Sequence, residues 1–158
     1  MKEIDFKALA GEITALLNST RVMTLATCSQ DRVTARSISI INEGLTIYFQ
    51  TDSQFLKYQQ ISQNQNVALS MDNLQIEGRA HIMGHPYDHE NHHFLEEYKK
   101  QHELSFLKYS HLDTERVIKV KPLLMTLWKY YDNHPCREIL NFNNLTSKRK
   151  FYEIGVTL

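Results

Sequence analysis

The sequence predicts an α+β protein whose antiparallel β-sheet closes, or nearly closes, into a barrel with helices at its edges. Several short runs alternate apolar and polar residues with a period of two, and they are rich in β-branched and aromatic residues, as strands are. Turn residues separate these runs, and helical spacing occurs in only a few stretches. Closure of the sheet is expected because it removes the exposed edges of the outermost strands.

The first predicted element is an amphipathic helix over residues 5–18, in which apolar residues recur at helical spacing. These residues are Phe6, Leu9, Ile13, Leu16 and Leu17. Turn residues separate three strands, which are predicted over residues 22–27, 33–40 and 45–51. The period then changes, and Asp52 and Ser53 open a short helical run in which Lys57 falls early.

The second half of the chain is predicted to begin with a strand over residues 76–83, which alternate again. A polar helix follows over residues 86–101, with a few apolar residues on one side. Late strands are predicted over residues 116–120 and 123–130, broken at Pro122 because proline cannot donate a hydrogen bond to a neighbouring strand.

A chain of 158 residues is predicted to form a single domain over residues 1–158 and is long enough to bury a core. Within that domain, the barrel is expected over about residues 22–130 and a C-terminal tail over about residues 131–158. The part of the tail from 136 to 152 favours neither a strand nor a helix.

The composition argues against several classes of partner. Lys plus Arg and Asp plus Glu both number 18, so no net field favours nucleic acid or an anionic membrane surface. No apolar run approaches the roughly 20 residues that cross a bilayer, and the first residues lack the apolar centre of a signal peptide. Cys28 and Cys136 form no CxxC motif, which is typical of reduced thiols. We therefore expect a cytoplasmic protein without nucleic-acid or membrane partners.

Three polar residues in the first half of the chain could converge on one anion. Arg36 lies on one predicted strand, Thr51 ends the next, and Lys57 lies near a helix start, where free N–H groups and the helix dipole favour negative charge. The residues alone leave the question open. An outward Arg36, a capping Ser53 and a solvated Lys57 on an ordinary meander explain the pattern equally well.

The ordered series of motifs in this region resembles the pyridoxamine 5′-phosphate oxidase-like family of FMN-binding split barrels. The series is M-T-L-A-T at 23–27, A-R-S-I-S at 35–39, I-Y-F-Q-T at 47–51, and then Lys57, six residues after the threonine. The resemblance extends over about residues 5–83 and implies a six-stranded antiparallel split barrel with flanking helices. It also implies an FMN cofactor and a homodimer with two cofactors at the subunit interface.

The resemblance implies roles for particular residues. FMN carries a phosphate and a flat, largely apolar ring, so its site needs cations and N–H donors at one end and an apolar slot at the other. Arg36 would bind the phosphate in a forked geometry and Lys57 as a point charge. Ser37 and Ile38 would lie along the ring edge through their backbone groups.

Three further residues complete the implied cofactor site. Gln50 and Thr51 match the family's strand-end pair, and the Thr51 hydroxyl could donate a hydrogen bond to phosphate. Trp128 resembles the tryptophan that lies beside the flavin, although an ordinary strand aromatic in the core is an equal interpretation.

Departures from the family pattern argue against a vitamin B6 oxidase. Those enzymes follow the threonine with Gly-Ser-Arg-Lys, whereas Gln54, Phe55 and Leu56 precede Lys57 here. Their lysine five residues after the strand arginine is replaced by Ile41, and their substrate motif Arg-Leu-His-Asp-Arg is absent. The expected function is therefore a flavin-dependent oxidoreductase of unknown substrate, or a non-catalytic flavin carrier or sensor.

A histidine-rich segment over residues 81–102 supplies the main alternative. Residues 89–93 formally match H-E-x-x-H, in which two histidines one turn apart bind zinc. No third ligand is evident, since Glu115 has tolerable spacing but immediately precedes a strand, so we expect no metal site. Haem remains an alternative cofactor, because histidine is a usual axial ligand and some split-barrel relatives bind or degrade haem. A deazaflavin coenzyme also remains open.

Overall fold

The computed structural model describes residues 1–153 and contains ten strands and four α-helices over that range. The α-helices are α1 (Phe6–Asn18), α2 (Leu56–Gln63), α3 (His92–Gln101) and α4 (Glu103–Tyr109). The strands of the first half are β1 (Lys2–Glu3), β2 (Val22–Ser29), β3 (Arg32–Ser39), β4 (Ile41–Glu43), β5 (Thr46–Asp52), β6 (Asn66–Met71) and β7 (Leu74–Ile82). The later strands are β8 (Glu115–Tyr131), β9 (His134–Asn141) and β10 (Thr146–Phe151).

All of the strands belong to one antiparallel sheet. The main path runs β1-β10-β9-β8-β7-β6-β2-β3, and β5 adds to β8 with β4 beside it. The 17-residue strand β8 is therefore the hub, because it pairs with β5, β7 and β9 in turn. The predicted α+β class with an antiparallel sheet and flanking helices is confirmed, but the sheet has about ten strands in the described range rather than six.

Helix α1 forms where the sequence predicts it, because its start is capped and one face is apolar. The Asp5 side chain accepts a hydrogen bond of 2.7 Å from the Ala8 backbone N–H, as an N-cap residue does. Leu9, Ile13 and Leu17 are fully buried in the main core against the sheet. Asp5 and this apolar stripe together set the position of the helix.

The prediction that a break at Pro122 separates two late strands is wrong, since β8 runs through that position without interruption. Pro122 lies opposite Gly78, where the β7–β8 register shifts as it does at a β-bulge. The irregularity accommodates the missing N–H of the proline. A Cβ atom at Gly78 would lie 2.7 Å from Val120 Cγ1 and 2.8 Å from the Lys121 carbonyl oxygen, so the close approach requires glycine.

The C-terminal segment, for which the sequence favoured neither strand nor helix, is part of the sheet. A tight turn whose two residues, Asp132 and Asn133, have φ values of 48° and 63° joins β8 to β9. Such left-handed pairs match the twist of a two-residue hairpin, and Asp and Asn tolerate them well. Strand β10 then pairs with β9 and with β1. Residues 154–158 of the predicted tail lie outside the described residues.

The predicted polar helix over residues 86–101 ends where expected but begins later, at His92. The preceding residues form a turn because their polar groups are bound locally. Asp88 Oδ2 accepts a hydrogen bond of 3.0 Å from the His85 N–H, and the Asn91 amide donates to the carbonyls of Met83 and His85. A short 3-10 turn over His89–Asn91 then leads into α3.

Two clusters of buried side chains hold these layers together. The main core lies between α1, α2 and the sheet, and a smaller one formed by Ile41, Phe94, Tyr98 and Val117 fixes α3 onto the sheet. In the described part of the chain, no helix is both long and apolar enough to cross a membrane.

A buried carboxylate joins the end of β8 to β9 and β10. Glu138 is 2% exposed and forms ion pairs with Lys129 and with Arg149, whose Nε lies 2.8 Å from Glu138 Oε2. Lys129 also binds the more exposed Glu12 of α1 at 2.6 Å. These four side chains connect α1 to three neighbouring strands.

Candidate functional site

A pocket of about 270 Å³ lies between the sheet and the helices α3 and α4. Its floor is formed by the ends of β3 and β5 and the start of β8, and the first turn of α2 forms one side. The structure brings most of the predicted cofactor-binding residues together here. Those that line the pocket are Ser37, Ile38, Gln50, Thr51 and Lys57.

Lys57 is the cation that lines this pocket. It is the second residue of α2, which begins at Leu56. Burial lowers the pKa of Lys57, and the positive charge of Arg36 lowers it further, against the opposing effects of Glu115 and Asp52. Lys57 forms no ion pair with any residue of the described range, and its Nζ lies 4.9 Å from the centre of the Phe55 ring. An unpaired ammonium group on a pocket wall favours an anionic ligand.

Arg36 does not line the pocket but lies close enough for its charge to act on Lys57. Its guanidinium donates hydrogen bonds to the Thr27 and Thr34 hydroxyls, at 2.8 and 2.5 Å, and to the Leu25 carbonyl at 3.3 Å. Gln60 of α2 accepts hydrogen bonds from both threonines. Burial lowers the pKa of Arg36. Arg36 is therefore held by groups of β2 and β3, which Gln60 of α2 holds in turn, and it contributes positive charge behind the pocket wall.

Gln50 and Thr51 lie where β5 ends, as the resemblance implied. The Gln50 side-chain oxygen accepts a hydrogen bond of 2.7 Å from the hydroxyl of Ser110, which is fully buried. Thr51 is 3% exposed, and among residues 1–153 its hydroxyl makes only a long hydrogen bond of 3.4 Å to the Asp52 carbonyl. The Gln50 side chain is thus held in place, whereas the Thr51 hydroxyl remains available to a ligand.

Two acidic residues in the pocket were not predicted as site residues. Asp52 ends β5 and Glu115 begins β8, and the two are direct partners in the antiparallel pairing. Asp52 accepts hydrogen bonds of 2.8 Å from the Thr114 hydroxyl and from the Gln54 N–H. Glu115 is 4% exposed, and burial, followed by the charge of Asp52, raises its pKa to about 7, although Lys57 opposes the shift.

Helices α3 and α4 cover the pocket. Tyr98 and Ser105 reach it from these helices, and Tyr109 and Leu112 extend its rim. Burial raises the pKa of Tyr98 to about 12, so its hydroxyl stays protonated in neutral solution. None of the residues of α4, Glu103–Tyr109, is buried. The cover is therefore less tightly packed than the floor.

Trp128 lies away from this pocket, in a separate groove near the far end of β8. The groove measures about 280 Å³ and is also lined by Asn73 and Arg137. The rings of Trp128 and Tyr152 stack on each other with their centres 5.6 Å apart, and the Arg137 guanidinium lies beside both, 5.5 Å from the centre of Trp128 and 5.4 Å from that of Tyr152. Within one chain, the structure does not bring Trp128 together with the other predicted site residues.

The histidine-rich segment does not form a compact cluster. His89 belongs to the 3-10 turn, whereas His92 and His93 begin α3, and all three are exposed. The His92 ring lies 3.1 Å from Glu96 one turn later. Among residues 1–153, no group of three or more His, Cys, Asp or Glu side chains is placed to hold a metal ion.

The pocket occupies the part of the chain that matches a known protein family. The family model described as pyridoxamine 5′-phosphate oxidase matches residues 9–129. The chain belongs to this family. The match ends near the end of β8, so β9 and β10 lie outside it. A comparison with curated protein sequences gave no match.

Solved structures of the pyridoxamine 5′-phosphate oxidase family share the fold of the chain. A putative pyridoxamine 5′-phosphate oxidase from Listeria innocua is 22% identical, with a TM-score of 0.59 over 75% of this chain and 97% of that one. A pyridoxamine 5′-phosphate oxidase-related, FMN-binding protein from Nostoc punctiforme is 12% identical, with a TM-score of 0.62 over 94% of this chain and 95% of that one.

A third similar structure has a different described role. HutZ, the heme storage protein from Vibrio cholerae, is 12% identical, with a TM-score of 0.62 over 71% of this chain and 88% of that one. At these identities the similarities show the fold alone. They establish the split-barrel architecture of the chain.

Proposed function

We propose that the chain binds FMN in the pocket beside Lys57 and acts as a flavin-dependent oxidoreductase. The observation that carries the proposal is the unpaired Lys57 ammonium group on the wall of a pocket that Ser37, Ile38 and Thr51 also line. The positive charge of Arg36 lies behind the same wall. The mutual repulsion of these two cations would be relieved by a phosphate bound near both.

Different groups of the chain would contact the phosphate and the ring of FMN. Lys57 and Arg36 would neutralise the phosphate, and the Thr51 hydroxyl would donate a hydrogen bond to it. Ile38 supplies apolar surface, and Ser110 holds the Gln50 side chain in place. When bound, the flavin ring supplies the electron chemistry, while the protein orients it and excludes competing reactions.

We propose that a homodimer completes the site. The pocket of about 270 Å³ in one chain is slightly smaller than the roughly 300–1,000 Å³ of typical small-molecule sites. A second copy packed on the chain would enlarge it. Light scattering at micromolar concentration with FMN present is expected to give twice the monomer mass of 18.6 kDa. A monomer mass under those conditions would contradict this proposal.

We propose further that the chain is not a vitamin B6 oxidase. The residues nearest to that family's missing substrate motif, Arg137 and Glu138, are engaged elsewhere in the protein. Glu138 is buried in ion pairs with Lys129 and Arg149, and Arg137 lies against the rings of Trp128 and Tyr152, outside the pocket of Lys57. Neither residue would supply the substrate motif beside the proposed FMN site.

Haem is the second candidate cofactor. The fold similarity to HutZ favours it, together with the exposed His89, His92 and His93, any of which could serve as an axial ligand. One observation argues against haem: no histidine of residues 1–153 lines the pocket that contains Lys57. A deazaflavin coenzyme, whose flat ring resembles that of FMN, is the remaining alternative.

The absorption spectrum of the purified protein tests the proposed function. We expect a flavin spectrum, or its appearance after the protein is incubated with FMN and passed through a desalting column. Oxidation of a nicotinamide reductant by the loaded protein would then separate an enzyme from a carrier. A Soret band would favour haem, and a protein that retains no added FMN would contradict the proposal.

A further inference from the structure

Glu115 is a largely buried residue whose carboxyl group opens into the pocket. It begins β8 and lies opposite Asp52, and its side chain lines the pocket although the residue is 4% exposed. Within residues 1–153 its carboxyl group neither accepts a hydrogen bond nor joins an ion pair, and its backbone N–H and carbonyl make the local contacts. No fully buried side-chain polar atom of the described residues lacks a hydrogen-bond partner, so the Glu115 oxygens keep access to the pocket, where water or a bound ligand reaches them.

The two neighbouring carboxyl groups differ in burial and in their hydrogen bonds. Asp52 on β5 receives two hydrogen bonds, from the Thr114 hydroxyl and from the Gln54 N–H. Within residues 1–153 the Glu115 carboxyl receives none, and Glu115 is more deeply buried than Asp52. Burial without a donor disfavours the charged form of Glu115, and the charge of Asp52 adds to this effect.

The remaining charged and titratable groups come from the other elements that line the pocket. Lys57 of α2 is the cation there, and Arg36 of β3 acts on Lys57 from behind the wall. Tyr98 of α3 and Tyr109 of α4 face the pocket from the cover. Burial of Glu115 outweighs the effect of Lys57 and raises the pKa of Glu115 to about 7. Because this pKa lies near neutral pH, a small change in the electrostatic surroundings of Glu115 changes its ionised fraction.

We propose that Glu115 is a further ligand-binding residue, and that its protonated carboxyl group donates a hydrogen bond to the anionic group bound by Lys57. A ligand phosphate beside an ionised Glu115 would be repelled, whereas beside a protonated Glu115 it gains a donor. Binding of the phosphate then takes up one proton from solvent when Glu115 starts ionised. The inference rests on the proposed function, because FMN is the ligand with which it is tested.

The proposal gives a definite pH dependence. Above pH 7 the ionised fraction of Glu115 rises, and the apparent Kd for FMN rises with it toward tenfold per pH unit. Between pH 7 and 9 the loss of affinity should reach several tens of fold. This range lies above the second phosphate pKa of about 6, so the charge of the ligand stays constant.

The test compares the wild-type protein with Glu115→Gln, which keeps the shape of the side chain without its charge. FMN is titrated at pH 7, 8 and 9 by quenching of flavin fluorescence. The informative quantity is the ratio of the two Kd values at each pH. Loss of the Glu115 charge lowers the pKa of Lys57 further in E115Q, which works against the expected difference and cannot produce it. We expect the ratio of the wild-type Kd to the E115Q Kd to be several tens of times larger at pH 9 than at pH 7.

Two controls accompany the titration. Riboflavin, which lacks the phosphate, should show no such change in the ratio, and Glu3→Gln on exposed β1 should match wild type throughout. Folding is checked by thermal melts. A raised pKa in the folded state removes stability as pH rises from the ordinary value of 4.5 through about 7, so E115Q should melt above wild type at pH 8.

The outcomes separate this inference from the function on which it rests. A Kd ratio that stays constant between pH 7 and 9, with FMN bound by both proteins, overturns the role of Glu115 and leaves FMN binding intact. Failure of both proteins to bind FMN at pH 7 overturns the proposed function itself. Isothermal calorimetry in buffers of different ionisation enthalpy should give uptake of nearly one proton at pH 8 for wild type and none for E115Q.

Discussion

Replacing Lys57 with alanine is expected to weaken FMN binding at least about tenfold while riboflavin binding changes little. A hydrogen bond between charged groups contributes on the order of 1.5–3 kcal/mol, and 1.4 kcal/mol corresponds to a tenfold change in Kd. The Lys57 ammonium group has no competing ion pair in the described chain, so the variant loses little folding free energy. Equilibrium titration with both flavins measures the difference directly.

Arg36→Ala should weaken FMN binding by a similar factor but also lower the thermal stability. Its guanidinium bonds Thr27, Thr34 and the Leu25 carbonyl, and the two threonines are left to Gln60 alone when it is removed. Lys100→Ala is the matched control, because Lys100 is an exposed lysine whose partner Glu97 lies on the same helix. Equal FMN titrations for wild type and for both pocket variants would refute the assignment of the phosphate to this pair.

Replacing Glu138 with alanine is expected to lower the free energy of unfolding by about 3 kcal/mol. Removing one member of a buried ion pair leaves its partners without compensation, and this costs roughly 3–5 kcal/mol in general. The low end is appropriate because Lys129 and Arg149 are 18% and 24% exposed and regain some water. Urea denaturation of the two proteins gives the difference.

Glu12→Ala is the matched control for Glu138→Ala, since both carboxylates bind Lys129. The Glu12 side chain is 46% exposed, so its loss should cost less than about 1 kcal/mol. Burial alone would raise the pKa of Glu138, but hydrogen bonds from Lys129 and Arg149 lower it below 4.5. Its contribution is therefore complete above that pH and is lost as the pH falls through the lowered value. Equal destabilisation by the two alanine variants would contradict this account.

The sequence predicted the helices and strands in which buried apolar residues recur at a regular spacing. Helix α1 has an apolar stripe and an N-cap aspartate, and the strands β2, β5 and β7 alternate as half-buried strands do. Strands β9 and β10 were not predicted because polar residues occupy buried positions there. Glu138 and Ser147 are 2% and 4% exposed, so the inward face of this hairpin does not look apolar in the sequence.

The continuity of β8 could not be predicted for a different reason. Pro122 is tolerated only because Gly78 on the neighbouring strand admits a bulge, and no local pattern links the two residues. The same limit applies to the pocket. The residues from Arg36 to Lys57 were predicted as an ordered series, whereas Glu115 joins them through the pairing of β8 with β5, far away in the sequence.

The two walls of the pocket differ in how readily they open. Its floor belongs to β3, β5 and β8, whose backbone hydrogen bonds break only when much of the sheet unfolds. Helix α4 on the other wall has no buried residue, and its Leu104 and Leu107 are 73% and 58% exposed. Such a segment opens at a lower free energy than a strand in the middle of a sheet. The residues that α4 adds to the pocket are therefore held less firmly than those that the sheet adds.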